Sequence, residues 1–213
     1  MDRLMNAPTP LPIYSSQTIL NFQTLATLPK HKLDHDWHGD PPLAPSYFVL
    51  ALDPSNLWFA AECKQTPNFD RKFAQNDFAE GLWQRDVAEL FLVEDQTSRY
   101  QEFNLSPSGA WWSGVFKSYR QADQTFDHKH SPTITSIITC ANIMDNSWSS
   151  AMRIPLTSLA ITITFGPQSK ANVSMIIGGQ LRQHLSWSKI ASKQPDFHRC
   201  QEFSCLQSIA PTA

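Results

Sequence analysis

The sequence predicts an all-β fold built as an antiparallel two-sheet β-sandwich, and three observations lead to it. Short segments rich in β-branched and aromatic residues recur along the chain, as is typical of strands. Turn sequences such as Asp53-Pro54-Ser55-Asn56 separate these segments, with proline at a favoured turn position. No segment keeps the 3.6-residue apolar period of a long helix. Because no crossover helices separate the strands, we expect neighbouring strands to pair antiparallel.

The predicted strands fill most of the chain. They comprise residues 18–24, 47–52, 56–63, 86–93, 99–106, 110–118, 133–140, 147–154, 172–181 and 202–208. One short helix is expected within residues 73–82. Residues 1–16 are rich in proline and are predicted to form an N-terminal arm, which leaves residues 17–213 as a single domain.

Composition and charge exclude several classes of partner. The chain has 213 residues and is 41% hydrophobic, enough to bury a sizeable core without a disulfide or a metal. Its net charge of −2 provides no basic surface for nucleic acid or an anionic membrane. The longest apolar runs fall short of the ~20 residues that span a bilayer. We expect neither a nucleic-acid nor a membrane partner, and the composition leaves the oligomeric state open.

The N-terminus and the cysteines say little about chemistry. No apolar segment of a secretory signal is present, so a cytoplasmic location is expected unless a leader was removed. Cys63 and Cys140 end strand-like runs and are interpreted as buried free thiols. Cys200 and Cys205 have no second pair, which makes them weak candidates for a metal site or a disulfide.

The most informative stretch runs from Trp83 to Gly109. Glu89 lies in the middle of a strongly apolar strand, and Glu102 and Asn104 interrupt the next one. A buried charge is costly unless it is paired or functional. Because side chains alternate along a strand, pairing of the two strands can bring the three polar side chains onto one face. That face is predicted to be a concave ligand-binding surface, or alternatively a solvated outer face.

Two further residues complete this hypothesis. Arg85 can supply the positive charge opposite the carboxylates, and Trp83 lies at the start of the strand, where it can form the rim. An exposed indole is a large apolar plate with one N–H donor, which is suited to stacking on the C–H face of a sugar ring. The sequence therefore favours a hydroxyl-rich ligand.

This stretch resembles the family 9 carbohydrate-binding modules and their wider DOMON-like relatives. The family's pattern is Trp-x-x-Asp-x-x-Glu-x-Phe in one strand and Tyr-x-Glu-Phe-x-x-x-Pro-x-Gly in the next. The matching residues here are Trp83, Asp86, Glu89, Phe91, Tyr100, Glu102, Phe103, Pro107 and Gly109. With weaker matches in the flanks, the resemblance covers roughly residues 35–208.

The resemblance implies a jelly-roll-like β-sandwich that binds mono- or oligosaccharides without cleaving them. In that family two aromatic rings sandwich a terminal sugar. Trp83 matches one ring, Glu89 matches a hydroxyl-binding carboxylate, and Asn104 stands where the family has a sugar-contacting arginine. The second ring would come from Trp187 or Phe197. The family often binds structural calcium, but no acidic loop of suitable spacing is present, so no cofactor is predicted and calcium stays open.

The sequence thus predicts a ligand-binding site with no catalytic residue and no metal ligand. Its members are Trp83, Arg85, Glu89, Glu102, Asn104 and Trp187. Three alternatives of other classes remain. The first is a glycoside-processing enzyme that uses Glu89 and Glu102 as its two carboxylates. The second is a haem-binding redox domain with Met175 and His184 as ligands, and the third is a structural module without a ligand.

Overall fold

The computed structural model describes residues 9–126, 136–179 and 181–210. The strands in these ranges are β1 (Leu11–Ser15), β2 (His31–Lys32), β3 (Ser46–Leu52), β4 (Asn56–Cys63), β5 (Val87–Val93), β6 (Tyr100–Leu105), β7 (Trp111–Ser118), β8 (Gln121–Ala122), β9 (Ile138–Met144), β10 (Ser147–Pro155), β11 (Lys170–Ile177), β12 (Gln183–Ser186) and β13 (Ser204–Ile209). The helical segments are α1 (Phe22–Thr27) and the 3-10 turns Leu82–Gln84, Leu156–Ser158 and Cys200–Glu202. Among the described residues, no helix is long and apolar enough to cross a membrane.

The strands form two layers that are joined through β13 and β1. Pairing follows the path β8-β7-β6-β5-β11-β13-β1-β3-β4-β10-β9, while β12 pairs with β11 and β2 with β3. We call β5–β8, β11 and β12 the cleft sheet, and β2–β4, β9 and β10 the back sheet. Pairs within each sheet are antiparallel, whereas β1 runs parallel to both β13 and β3. The predicted all-β sandwich is confirmed, with two parallel pairs that the sequence did not indicate.

The main hydrophobic core lies between the two sheets. Leu90 and Phe103 come from the cleft sheet, and Phe59 and Trp148 come from the back sheet. All four are at most 1% exposed. Burial of each such side chain contributes about 1.5–3 kcal/mol, so this interface is the chief source of stability.

The cleft sheet is buried on its second face as well. Phe91 and Tyr100 on that face join Leu82 and Phe203 in a separate apolar cluster. Leu82 belongs to a 3-10 turn and Phe203 to the segment before β13, so loops rather than a third sheet cover this face. Polar side chains on the outer face of the cleft sheet are therefore shielded from bulk water.

The predicted strand at residues 18–24 is wrong, because a short helix occupies part of it. Asn21 caps α1 by accepting hydrogen bonds from the backbone N–H groups of Gln23 and Thr24, both at 2.9 Å. The Thr24 hydroxyl in turn accepts from the Asn21 N–H at 2.8 Å, which completes a capping box. A helix of six residues is too short to display an apolar period, so only this cap could have indicated it.

Three other elements differ from the prediction. Leu11–Ser15, which the sequence pattern assigns to the arm, is an inner strand. Only Tyr14 and Ser15 of this strand pair with β3, so the pairing with β3 does not need the N–H that Pro12 lacks. Residues 73–82 form turns, with a 3-10 helix only at Leu82–Gln84. The strand predicted at residues 133–140 begins outside the described residues and continues in Ile138–Met144. Cys140, predicted to be buried, is exposed on that strand, whereas Cys63 is buried.

Candidate functional site

The candidate site lies on the outer face of the cleft sheet, where several strands place side chains beneath one open cleft. Glu89 on β5 pairs with Asn104 on β6 and with Ser174 on β11. Asn104 pairs in turn with Trp112 on β7. Glu102 is two residues from Asn104 and therefore shares its face. The structure thus brings together the polar side chains that the strand pattern predicts on one face.

Glu89 and Glu102 are both buried at the floor of the cleft. They are 4% and 5% exposed, and the Ser174 hydroxyl donates to Glu89 Oε2 at 3.0 Å. Burial raises the pKa of the Glu89 carboxyl, and burial together with the neighbouring Glu89 raises the pKa of Glu102. Because two carboxyl groups in one site do not readily ionise together, the pair retains a proton near neutral pH. It can then donate as well as accept hydrogen bonds.

Asn104 supports this floor from below. Its side chain is 1% exposed, it does not line the cleft, and its Oδ1 has no hydrogen-bond partner among the described residues. An unsatisfied buried acceptor costs roughly 1–3 kcal/mol. A protonated Glu89 carboxyl, directly opposite on β5, can supply the missing donor. The Asn104 side chain also hydrogen-bonds the Glu102 carboxyl, which connects this amide to the carboxyl pair.

Trp112 covers part of the floor because glycine stands two residues further along β7. A Cβ atom at Gly114 would lie 2.1 Å from Cη2 of the indole, so the ring passes directly over this position. Gly114 pairs with Glu102, which places the ring beside that carboxyl. The preceding residue, Trp111, points into the main core, as alternation along the strand predicts.

Trp83 forms one rim of the cleft and is 53% exposed. It lies in the 3-10 turn Leu82–Gln84, which Gly81 precedes in a left-handed conformation with φ of 77°. The backbone carbonyl of Trp83 accepts a hydrogen bond from Arg182 Nη2 at 2.5 Å. The turn is therefore tied to the segment after β11, and the indole is left open to solvent.

Asp86, the second residue of the Trp-x-x-Asp-x-x-Glu pattern, anchors this rim rather than lining the cleft. Its buried carboxylate accepts a hydrogen bond from the Asn68 N–H at 3.0 Å. The backbone N–H groups of Gly178 and Gly179 also bond to it. Asp86 thus joins the segments that follow β4 and β11 to the start of β5. The three pattern residues have distinct roles as rim, anchor and floor.

The opposite wall comes from the segment between β12 and β13. Phe197 is 6% exposed and lines the cleft with Pro195. Its ring centroid lies 6.1 Å from that of His184 on β12. Burial and the nearby Arg182 lower the pKa of His184, so its imidazole is neutral at pH 7. This wall offers an aromatic ring beside a neutral hydrogen-bonding group.

A network of polar contacts at the surface fixes this wall to the turn after β7. Asp196 accepts hydrogen bonds from Arg120 Nη2 at 3.0 Å and from the Tyr119 hydroxyl at 2.5 Å. Nearby, the Tyr100 hydroxyl and His198 Nδ1 are 2.7 Å apart. Burial, together with Arg120, lowers the pKa of His198 to about 4. The wall is thus held by one ion pair and one neutral contact.

The cleft combines a polar floor with aromatic walls. Its volume is about 630 Å³, within the roughly 300–1,000 Å³ of ligand pockets. Glu89 and Glu102 provide hydrogen-bonding groups at the floor, and Trp83, Trp112 and Phe197 provide ring surfaces around them. This arrangement suits a ligand with many hydroxyl groups and an apolar face.

Three of the six predicted ligand-binding residues do not line the cleft: Asn104 is buried beside its floor, and Arg85 and Trp187 lie elsewhere. Arg85 is exposed on the far side of the 3-10 turn, in a depression that also contains Asp70. Trp187 packs edge-on against Phe48 with ring centroids 5.4 Å apart, and its Nε1 donates to the carbonyl of Thr9 at 3.2 Å. Neither residue lines the cleft. Arg120 and Arg182 take the place expected for Arg85, and Phe197 takes that expected for Trp187.

The haem alternative has no geometric support in its two candidate ligands. Met175 is fully buried in the core between the sheets, whereas His184 lines the cleft. Met175 pairs with Leu185, so His184 lies on the opposite face of the sheet from Met175. They cannot bind one iron. Within the described ranges, no group of three or more His, Cys, Asp or Glu side chains is arranged to hold a metal ion.

Sequence reasoning missed the basic residues of the cleft. Arg120, Arg182 and His198 lie in turns or loops, where no periodicity assigns a side chain to a face. Trp112 could have been found, because a glycine two residues after a tryptophan in a strand leaves room for its ring on the same face.

Comparison with known proteins gives a mixed result. No protein-family model matches the chain, and no curated protein matches it either. Solved structures do match it over nearly its whole length, which makes the fold the informative level of comparison.

One match is a protein of Bacteroides uniformis ATCC 8492 whose carbohydrate-binding role is inferred. It superposes on this chain with a TM-score of 0.74 at 15% sequence identity, and the match covers 93% of this chain and 98% of that one. A family 9 carbohydrate-binding module from Caldicellulosiruptor kristjanssonii in complex with cellotriose gives 0.57 at 12% identity, covering 95% of each chain. A family 9 module from the same organism in complex with glucose gives 0.55 at 12% identity, covering 95% of this chain and 97% of that one. The fold expected from the resemblance is confirmed.

Proposed function

We propose that this chain, which has the fold of family 9 carbohydrate-binding modules, binds a saccharide in its cleft without cleaving it. A sugar ring presents hydroxyl groups around its edge and C–H groups on its faces. The carboxyl groups of Glu89 and Glu102 would bond the hydroxyls, while the exposed indole of Trp83 would stack on one face. The partner is thus a mono- or oligosaccharide.

One observation carries the proposal: a pair of buried carboxyl groups and the rings of Trp83, Trp112 and Phe197 converge on one open cleft. A structural module without a ligand gains nothing from this arrangement, because buried carboxyl groups with raised pKa reduce stability above the ordinary carboxyl range. Two neighbours of the same fold are described in complex with cellotriose and with glucose, which supports sugars as the ligand class.

Calorimetry against a panel of mono- and oligosaccharides tests the proposal. The panel should contain glucan, xylan, mannan, galactan and chitin fragments of one to six units. We expect at least one to bind with a dissociation constant in the millimolar range or tighter. We also expect Trp83→Ala to weaken that binding about fivefold, since loss of a stacking ring costs on the order of 1 kcal/mol.

Arg85→Ala is the matched control. Arg85 is two residues from Trp83 on the same exposed segment but outside the cleft, so its replacement should leave affinity unchanged. Far-ultraviolet circular dichroism verifies that both variants fold. If no sugar in the panel binds, or if both variants bind as tightly as the parent protein, the proposal fails.

The same two carboxyl groups are the reason to consider a glycosidase. Such enzymes need one protonated carboxyl and one ionised carboxylate, whose environments separate their pKa values. Here a pair that shares one proton does not by itself separate the two classes, enzyme and binding module, but the two neighbours in complex with sugars are described as carbohydrate-binding modules. We therefore expect no release of reducing sugar from the panel. Turnover that disappears in Glu89→Gln would reverse this conclusion.

A further inference from the structure

A second cavity lies at the end of the cleft sheet, next to the cleft. Its volume is about 530 Å³, and we call it the distal cavity. Residues that line it include Val93, Gln96, Ser98, Tyr119, Gln168 and Lys170. His198 lines both this cavity and the cleft, so the two spaces adjoin at that residue.

The two cavities follow the same face of β5. Glu89 and Phe91 line the cleft, and Val93 lines the distal cavity. These three residues alternate along the strand and share one face. At about 3.3 Å per residue, Glu89 and Val93 are roughly 13 Å apart, a distance that a short oligosaccharide spans. Phe91 is itself buried, so a saccharide that leaves the cleft reaches the distal cavity by passing over His198 and the exposed Arg120–Asp196 ion pair.

Tyr119 gives the distal cavity an aromatic surface. Its side chain is 52% exposed, although its hydroxyl is fixed by donation to Asp196 at 2.5 Å. Anchoring by the hydroxyl leaves the ring held in place and exposed, which reduces the entropy lost when a ligand stacks on it. The Arg120 guanidinium carbon lies 5.9 Å from the ring centroid, and about half of the side chain is open to a ligand.

The remaining groups of the distal cavity favour a neutral polar ligand. Its acidic side chains are already engaged: Glu94 bonds Arg99 and Thr97, and Asp95 accepts hydrogen bonds from Thr164 and Ser169. The other lining side chains are mostly amides and hydroxyls, which are Gln96, Ser98, Gln168 and Gln201. Amides and hydroxyls donate and accept hydrogen bonds without charge, as sugar hydroxyls require.

We infer that the distal cavity is a second saccharide subsite, which holds further rings of an oligosaccharide whose first ring occupies the cleft. Tyr119 stacks on one of these rings, and the amide side chains bond its hydroxyls. The turn that carries Tyr119 and Arg120 forms the partition between the two subsites. This inference rests on the proposed function of the cleft and adds to it a preference for longer chains.

A chain-length series tests the inference. Calorimetry with glucose, cellobiose, cellotriose and cellohexaose, and with the matching xylan and mannan series, gives affinity as a function of length. In the parent protein we expect the six-unit ligand of the series that binds to bind about tenfold more tightly than the single unit. In Tyr119→Ala this gain should disappear, while Tyr119→Phe, which keeps the ring but loses its hydroxyl anchor on Asp196, should retain most of it.

Each result has one interpretation. Equal affinity for one and six units in the parent protein overturns the distal subsite and leaves the proposed function of the cleft intact. A gain that survives in Tyr119→Ala, or a complete loss of the gain in Tyr119→Phe as well, also overturns it, because stacking on the ring is then not the cause. If no sugar of any length binds, the proposed function fails and the distal subsite fails with it.

Discussion

The two faces of the cleft sheet are both buried, yet they differ in composition. On the inner face, Leu90 and Phe103 pack against the back sheet. On the outer face of the same two strands, Glu89 and Glu102 are 4% and 5% exposed at the floor of the cleft. Burial alone therefore does not select apolar residues here. The inner face is optimised for stability, whereas the outer face keeps polar groups that a stability criterion would remove.

This contrast indicates how the protein divides its two tasks along single strands. Substitutions on the inner face should change stability and leave the cleft chemistry alone. Substitutions of the carboxyl groups on the outer face should reduce binding and leave stability equal or higher. The four predictions below follow this division, from the largest expected effect to the smallest.

Phe103→Ala should lower the free energy of unfolding by about 3–5 kcal/mol, because it leaves a cavity in the main core. Urea denaturation monitored by tryptophan fluorescence measures this change. Glu102→Gln, one residue away on the other face, is the matched control and should cost no stability at pH 8. Equal destabilisation by both variants would contradict the division between the faces.

Glu89→Gln should weaken saccharide binding by tenfold or more, since a hydrogen bond to a charged or acidic group is worth roughly 1.5–3 kcal/mol. Calorimetry with the tightest ligand of the panel measures the loss. The fold should remain intact, because glutamine keeps the size of the side chain and carries no buried charge. Unchanged affinity would show that Glu89 is only a structural residue of the outer face.

Stability should fall as pH rises, in a way that depends on the carboxyl pair. The folded-state pKa of each group lies above the ordinary value of 4.5. The stability that the two protonated carboxyl groups give the folded protein is therefore complete below pH 4.5, and it is lost as the pH rises through the raised pKa values. The double variant Glu89→Gln/Glu102→Gln should lack this loss.

The measurement for this prediction is the free energy of unfolding of both proteins at pH 5 and at pH 8. On going from pH 5 to pH 8, the free energy of unfolding of the variant should rise relative to that of the parent protein by on the order of 1–2 kcal/mol. Parallel pH profiles would mean that the two carboxyl groups titrate as exposed ones do.

Gly114→Ala should reduce affinity about fivefold with little change in stability. The added Cβ would lie 2.1 Å from the Trp112 ring, and the ring is displaced more easily than the strand. Gly166→Ala, where a Cβ would meet only the Thr164 hydroxyl at 3.5 Å, is the control. An affinity that stays constant in Gly114→Ala would remove Trp112 from the ligand surface.

The alternation of residues along β5 and β6 was enough to predict the polar face. Glu89, Glu102 and Asn104 lie on one side of the strand pair because successive side chains point to opposite faces. The same local rule predicts that the side chains of Trp111 and Trp112 lie on opposite faces of the sheet. The short helix α1 and the inner strand β1 escaped prediction because neither is long enough for a periodic pattern to outweigh its flanking residues.

The members of the cleft walls could not be predicted in this way. Arg85 and Arg182 are both exposed arginines in irregular segments, yet only Arg182 lines the cleft. The difference arises from Asp86, which binds backbone N–H groups of the segments after β4 and β11 and so determines how the rim is folded. Contacts between residues that are far apart in the sequence, such as Asp86 and Gly178, leave no local signature.

The sequence by itself determined the all-β class and the face on which Glu89 and Glu102 lie, because strand alternation is a local property with a period of two residues. Only the tertiary structure decided that this face is roofed by loops, that Phe197 rather than Trp187 lines the cleft, and that Tyr119 borders a second cavity. Those features depend on how distant segments pack on one another, and packing of that kind is settled by the whole fold rather than by any one stretch of chain.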